Sequence, residues 1–251
     1  MNLTNESKTL FLCLKAKSDM SKQNFLIHDE YAEKICDQIN IDFKQSKYLS
    51  MFLTLRAYLI DEAIKPYLNQ ESIVLHYGCG LDMRYKRLNA NMKCWYDIDF
   101  EAVLDLKKTF IQEDDHYQMI ACDQNDFIAS LQASTQAILI LEGVSMYMDE
   151  EQLKALLKQV ALKYPNVFII MDTYSKLGVK LSKYKNPINQ MNAKVTYGVD
   201  HQDDLLKLHE HLIFIKKYPI KTNSNNWIFD HLYCGNTASK MMQIYEMKLE
   251  E

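Results

Sequence analysis

The sequence predicts an α/β fold. Its core is a doubly wound, seven-stranded, mostly parallel sheet with an antiparallel C-terminal hairpin, and a helical cover precedes the first strand. Three observations predict it. Ile73–Arg84 reads as a short buried strand, a Gly-x-Gly turn and the start of a helix. From Ser72 to Thr173, five strand-like apolar runs alternate with helical stretches, the pattern of a parallel sheet covered on both faces. The last two strand-like runs, His211–Tyr218 and Ser239–Lys248, have no long helix between them, and a parallel pair would need one.

Taken in order, residues 1–47 are the least sheet-like part. Helix-capping residues in Asn2–Leu10 precede the apolar segment Leu10–Leu14, and Asp29 precedes a helix start at Tyr31–Cys36. Two short helices here either cover the ligand edge of the sheet or pack on its flank. Tyr48–Leu68 is a strong helix, with Leu49, Phe52, Leu53, Leu59, Ile60, Ala63 and Ile64 on one stripe. Asp61 and Lys65 stand one turn apart, and Pro66 stops the helix. Arg56 interrupts the stripe. Either it snorkels to solvent, or it points into the cleft to meet a carboxylate.

The regular alternation then begins. Strand Ser72–Tyr77 leads to helix Leu81–Asn89, Met92–Ile98 to Phe100–Gln112, and His116–Ala121 to Gln124–Leu131. Strand Thr135–Leu141 leads to helix Asp149–Tyr164, whose start carries Asp149, Glu150 and Glu151 and whose end meets Pro165. Strand Asn166–Thr173 closes the series. Tyr174–Asp200 has no clear period, and it reads either as an insertion that shapes a pocket or as a surface excursion. Asp203–His209 looks helical.

The length of 251 residues suits a single domain, 1–251, with a cover at 1–70, a ligand-binding core at 71–173 and an insertion plus hairpin at 174–251. Apolar content of 48% and charged content of 25% are ordinary for a globular protein. A net charge of −4 with scattered lysines gives no sign of nucleic-acid binding, and no run approaches the ~20 apolar residues of a membrane span. None of the six cysteines forms a Cys-x-x-Cys pair or stands with His at zinc spacing, which predicts no metal site and a reducing cytoplasm. Oligomeric state is not legible.

The chemistry concentrates after the first strand. Gly78 and Gly80 let the backbone turn tightly and approach a ligand at the carboxyl end of a parallel strand. Asp99 ends the second strand, 19 residues after Gly80, where an acid can accept hydrogen bonds from ribose hydroxyls. The third glycine of the dinucleotide pattern is missing, and Asp82 would repel a pyrophosphate. A nucleoside without phosphates is therefore expected, and S-adenosylmethionine fits.

Four stretches resemble class I S-adenosylmethionine-dependent methyltransferases, within them the leucine carboxyl methyltransferase and tetracenomycin-type polyketide O-methyltransferase group. Gly78-Cys-Gly-Leu-Asp-Met-Arg84 is similar to the family's Gly-x-Gly-x-Asp-x-Arg loop, and Trp95–Phe100 to its acid-ending second strand. Leu141–Met148, with Asp149–Leu153, is similar to its Glu-Gly-x-x-x-Tyr segment, and His28–Ala32 to an N-terminal His-Asp-Pro-Tyr element. The resemblance implies a Rossmann-like fold and a set of cofactor-binding residues. Gly78 and Gly80 would let the cofactor approach, with Asp82 and Arg84 in the same loop. Asp99 would hold the ribose, Asp123 would lie beside the adenine, Glu142 would line the methionine end, and Arg56 would meet the cofactor carboxylate. Lys17 is a further candidate. From the residues alone, Glu142 also reads as a cap for the following helix and Asp123 as a turn residue. The sequence departs from the family at His76, Tyr77 and Glu30.

The implied activity is methyl transfer from S-adenosylmethionine, leaving S-adenosylhomocysteine, to a carboxylate or hydroxyl of a small molecule or peptide. A carboxylate is already ionised at neutral pH and needs no base, whereas a phenol with a pKa near ~10 would gain from one. His201 and His209 are base candidates by topology, and Tyr147 and Tyr174 are candidates for shaping the acceptor pocket. No residue is singled out as catalytic. A non-catalytic binding protein of the same fold, acting through a protein partner, is the alternative. A nicotinamide oxidoreductase is disfavoured by Asp82 and the missing glycine.

Overall fold

The computed structural model describes residues 5–39, 41, 44–123, 127–182, 195–221, 229–230 and 238–250. Three helices come first: α1 (Asn5–Ser21), α2 (Glu30–Ile39) and α3 (Lys47–Ile64). The alternating core follows as β1 (Ser72–Tyr77), α4 (Arg84–Leu88), β2 (Cys94–Asp99), α5 (Glu101–Lys108), β3 (Tyr117–Ala121), α6 (Phe127–Ser130), β4 (Gln136–Leu141), α7 (Glu150–Lys163) and β5 (Asn166–Tyr174). Then come α8 (Lys176–Ser182), α9 (Gln202–Leu206), β6 (Leu212–Tyr218), α10 (Ala238–Met241) and β7 (Met242–Glu250).

The seven strands form one sheet in the order β3-β2-β1-β4-β5-β7-β6. The first five are parallel, and β7 runs antiparallel between β5 and β6. This is the doubly wound sheet with an antiparallel end that the sequence predicts. Strand order reverses between β1 and β4, so a crevice opens at their carboxyl ends.

Side-chain alternation divides the core into two layers. Val74, Trp95, Ile138, Ile140 and Ile170 face one way and pack with Phe11, Leu14, Leu55 and Ile60 of α1 and α3. Ile73, Leu75, Tyr96, Leu139 and Leu141 face the other way and pack with Leu153, Leu157 and Val160 of α7. The same alternation puts polar side chains on the α1/α3 face near the strand ends. His76 of β1 stands opposite Asp97 of β2 in the parallel register.

Several boundaries differ from expectation for local reasons. Helix α4 starts at Arg84 rather than Leu81. Gly80 is in the left-handed region (φ 53°), and Asp82 N–H bonds to the Cys79 carbonyl, so residues 81–83 are a turn. Helix α3 tightens into a 3₁₀ turn at Lys65–Tyr67, because Pro66 has no N–H to continue an α-helix. Residues Ala238–Met241 are helical, and β7 begins at Met242, opposite the end of β5 at Tyr174. The segment read as aperiodic after Tyr174 begins with α8. Residues 183–194 of that segment, 124–126 of the helix before Leu131, and Cys234 lie outside the described residues.

Candidate active site

The glycine turn is tied to the strand ends by backbone bonds. Gly78 N–H donates to the Ile98 carbonyl at 2.7 Å, and Gly80 N–H donates to Asp99 Oδ2, also at 2.7 Å. Asp99 Oδ1 accepts from Phe100 N–H at 2.8 Å. Gly78 has φ 67°, and a methyl added to it would meet Val144 Cγ2 at 2.7 Å. Gly78→Ala is therefore expected to cost about 1–3 kcal/mol in urea unfolding, since backbone strain and a clash with a stiff β-branched side chain coincide.

Two cavities meet at this turn, with Gly78 and Tyr147 in the walls of both. The first, of about 220 Å³, lies beneath α1 and is lined by Lys17, Arg56, His76, Gly80, Asp82, Glu142 and Tyr174, with apolar walls from Leu10, Phe52, Leu53 and Met242. The second, of about 420 Å³, lies toward α7 and is lined by Asp99, Tyr77, Cys122, Phe127, Val144, Leu156 and Gln159.

Arg56 of α3 does not snorkel. It is buried and reaches the carboxyl end of the sheet, where its guanidinium lies 3.1 Å from Glu142 Oε1 and 3.2 Å from Asp172 Oδ2. Glu142 follows β4 and does not cap α7. Asp149 does that, in a capping box with Gln152. The second oxygen of Glu142 is held by Arg84. Arg84 itself stands behind the cavity wall, with no exposed surface, and also bonds Asp61 at 2.6 Å. Asp82 lines the first cavity, but its charge is met by Lys17 at 2.9 Å, Arg87 at 3.0 Å and Arg84 at 3.6 Å. Asp123 is exposed in the turn after β3, next to Cys122, which lines the second cavity. Tyr147 and Tyr174 line the first cavity, whereas His201 and His209 line neither.

Beneath the turn lies a buried hub that sequence reasoning missed. The carboxylate of Asp97 accepts from Lys107 Nζ at 2.6 Å, Tyr117 Oη at 2.6 Å, Trp95 Nε1 at 2.9 Å and His76 Nδ1 at 3.1 Å. Lys107 also donates to the Asp82 carbonyl at 2.6 Å, which links the hub to the glycine turn. A second staple runs from Arg87 to Asp29, the residue that caps α2, and so fastens the N-terminal cover to α4.

Burial opposes charge throughout this network, and the counter-ions decide the outcome. For Glu142, burial acts upward, but Arg84, Arg56 and Lys17 outweigh it and hold the carboxyl at about 2. For Asp172, burial dominates and the nearby charge of Glu142 adds to it, so the carboxyl is pushed up to about 6 despite Arg56. The downward shift of Glu142 stabilises the fold above its unfolded value of 4.5 and is lost as pH falls through 2. The upward shift of Asp172 works in reverse: it contributes below 3.8 and fades as pH rises through 6. The urea midpoint is therefore expected to fall as pH drops below 4.5, and Glu142→Gln should flatten that limb.

Among the described residues, no helix is long and apolar enough to cross a membrane, and no group of three or more His, Cys, Asp or Glu could hold a metal ion.

This geometry belongs to a chain whose residues 10–161 match the family model for leucine carboxyl methyltransferase. The tetracenomycin polyketide synthesis O-methyltransferase TcmP of Streptomyces glaucescens is 25% identical over 214 residues, covering 82% of this chain and 79% of that protein. Magnesium protoporphyrin IX methyltransferase from Synechocystis PCC 6803, solved with bound SAH, shares the fold at TM-score 0.52 and 13% identity, over 86% of this chain and 92% of that one. An S-adenosylmethionine-dependent methyltransferase from Mesorhizobium loti does so at TM-score 0.54 and 11% identity, over 77% and 97%. The chain thus belongs to the leucine carboxyl methyltransferase family and is an S-adenosylmethionine-dependent methyltransferase.

Proposed function

We propose that the chain methylates an oxygen of a small apolar acid, with the cofactor laid across the two cavities. The observation that carries this reading is their division of labour. One holds a guanidinium, Arg56, suited to a carboxylate, and the other holds a carboxylate, Asp99, suited to a ribose diol. Gly78 and Tyr147, which line both cavities, would lie beside the sulfonium. S-adenosylmethionine, when bound, supplies an electrophilic methyl group.

Gly78 and Gly80 give the close backbone approach, Asp99 takes the ribose, and Arg56, with Lys17 nearby, takes the amino-acid carboxylate. Glu142 lines that end, and Asp82 and Arg84 act one step behind, by holding Lys17 and Glu142. Asp123, beside Cys122, is assigned to the adenine edge. The N-terminal cover supplies Lys17 and Arg56, the core between 71 and 173 holds the rest of the cofactor, and Tyr174 and Met242 lie on the acceptor side. The free thiols Cys13, Cys36, Cys79, Cys94 and Cys122 suit a reducing cytoplasm.

The acceptor stands where Leu10, Phe52, Leu53, Tyr147 and Met242 form apolar walls. Alignment of the reactants and exclusion of water supply the catalysis. His76 lines this cavity, but both its ring nitrogens are engaged, and burial first of all keeps the Tyr147 phenol above its usual pKa. Neither side chain is placed to take a proton from the acceptor, so an acceptor already ionised at neutral pH, which needs no base, suits the site better than a phenol. The test is release of S-adenosylhomocysteine across a panel of apolar carboxylic acids and phenols. A carboxylate acceptor should give turnover that is flat with pH from about 6 to 9, far above an ordinary carboxyl pKa. A log-linear rise over that range would assign a hydroxyl acceptor instead.

A further inference from the structure

His76 bonds Asp97 in the buried hub, and the cofactor contacts proposed above do not use it. It sits on β1, 1% exposed, in the wall of the first cavity. Nδ1 lies 3.1 Å from Asp97 Oδ1, and Nε2 lies 3.3 Å from Arg84 Nη1. A guanidinium has only donors, so Nε2 must offer its lone pair. The single ring proton is then on Nδ1 and is donated to Asp97. A protonated ring would place a second N–H against the arginine. Burial first, and the charge of Arg84 after it, outweigh Asp97 and keep the imidazole below its ordinary pKa.

Arg84 has little freedom once these bonds are made. Nε is held by Asp61 at 2.6 Å and Nη2 by Glu142, whose other oxygen faces Arg56. Nη1 is the remaining buried donor, and His76 supplies its acceptor.

We infer that His76 is a positioning residue: its Nε2 lone pair, oriented by Asp97, satisfies Nη1 of Arg84 and so steadies the guanidinium that holds Glu142 and, through it, Arg56 at the methionine end of the cofactor cavity. The inference rests on the assignment of Arg56 and Glu142 to that end. His76 does not touch the reacting atoms and leaves no nitrogen for a ligand.

The test pairs two variants with one spectroscopic measurement. His76→Phe keeps a flat ring and removes the acceptor. His76→Gln restores a carbonyl at the reach of Nε2 and an N–H₂ for Asp97. Calorimetric titration with S-adenosylhomocysteine should show His76→Phe weakened by at least about tenfold and His76→Gln within about threefold of the parent, since the lost bond is to a charged group. Equal affinity of His76→Phe and parent, or equal weakening of both variants, overturns the inference while leaving the site assignment standing. A parent protein that binds no S-adenosylhomocysteine overturns both. Nitrogen-15 spectra of the histidine rings in the parent protein decide the matter even if His76→Phe does not fold. A bare Nε2 with the proton on Nδ1 is expected, and a protonated Nε2 overturns the inference.

Discussion

Asp97→Ala is expected to destabilise the protein by about 3–5 kcal/mol, the cost of breaking a buried ion pair and leaving its partner uncompensated. The change strands the Lys107 ammonium, which is fully buried, together with the Tyr117 hydroxyl, the Trp95 indole N–H and the His76 N–H. Because Lys107 also holds the Asp82 carbonyl, the glycine turn should loosen at the same time. Asp97→Asn keeps an acceptor but loses the charge, and should fall between the parent and Asp97→Ala. Urea unfolding read by tryptophan fluorescence checks this. A loss under about 1 kcal/mol, the worth of a single net hydrogen bond, would mean that water replaces the carboxylate and that the hub is not what holds the turn.

Arg56→Ala should act mainly on the cofactor. Loss of a charge-assisted contact to the amino-acid carboxylate is expected to cost about 1.5–3 kcal/mol in affinity, roughly 10- to 150-fold. Stability should suffer less than for Asp97→Ala. Glu142 keeps Arg84, and Asp172 keeps the Gly143 N–H at 2.6 Å. Asp172 is already pushed up to about 6, so without Arg56 it can take a proton at neutral pH instead of standing as a bare buried charge. Calorimetry and thermal melting on the same variant separate the two effects. A large loss of stability with unchanged affinity would make Arg56 a structural ion-pair partner only.

The sheet was legible because strand runs, turn residues and helix periods agree along the chain, and because no long helix separates the last two strands. The Gly78–Gly80 turn and Asp99 were legible as local patterns at a known spacing. The pairing of Arg56 with Asp172 was not, since 116 residues separate them and only the sheet order brings β5 beside β4 and under α3. Asp97 carried a signal that could have been read: a carboxylate inside a strand between Tyr96 and Ile98 has to find donors. Its donors come from three strands and a helix, and no sequence spacing names them. The start of α4 was misplaced because apolar Leu81 and Met83 look helical, while the backbone there is spent on the turn that the glycines begin.

The central claim is that the two cavities that share Gly78 in their walls hold one molecule of S-adenosylmethionine. The most direct test is a calorimetric titration of the parent protein with S-adenosylhomocysteine, with Asp99→Ala titrated alongside. One micromolar site per chain is expected, weakened by about 1–3 kcal/mol when the Asp99 carboxylate is removed. No binding at millimolar ligand, or binding that is indifferent to Asp99, would contradict it.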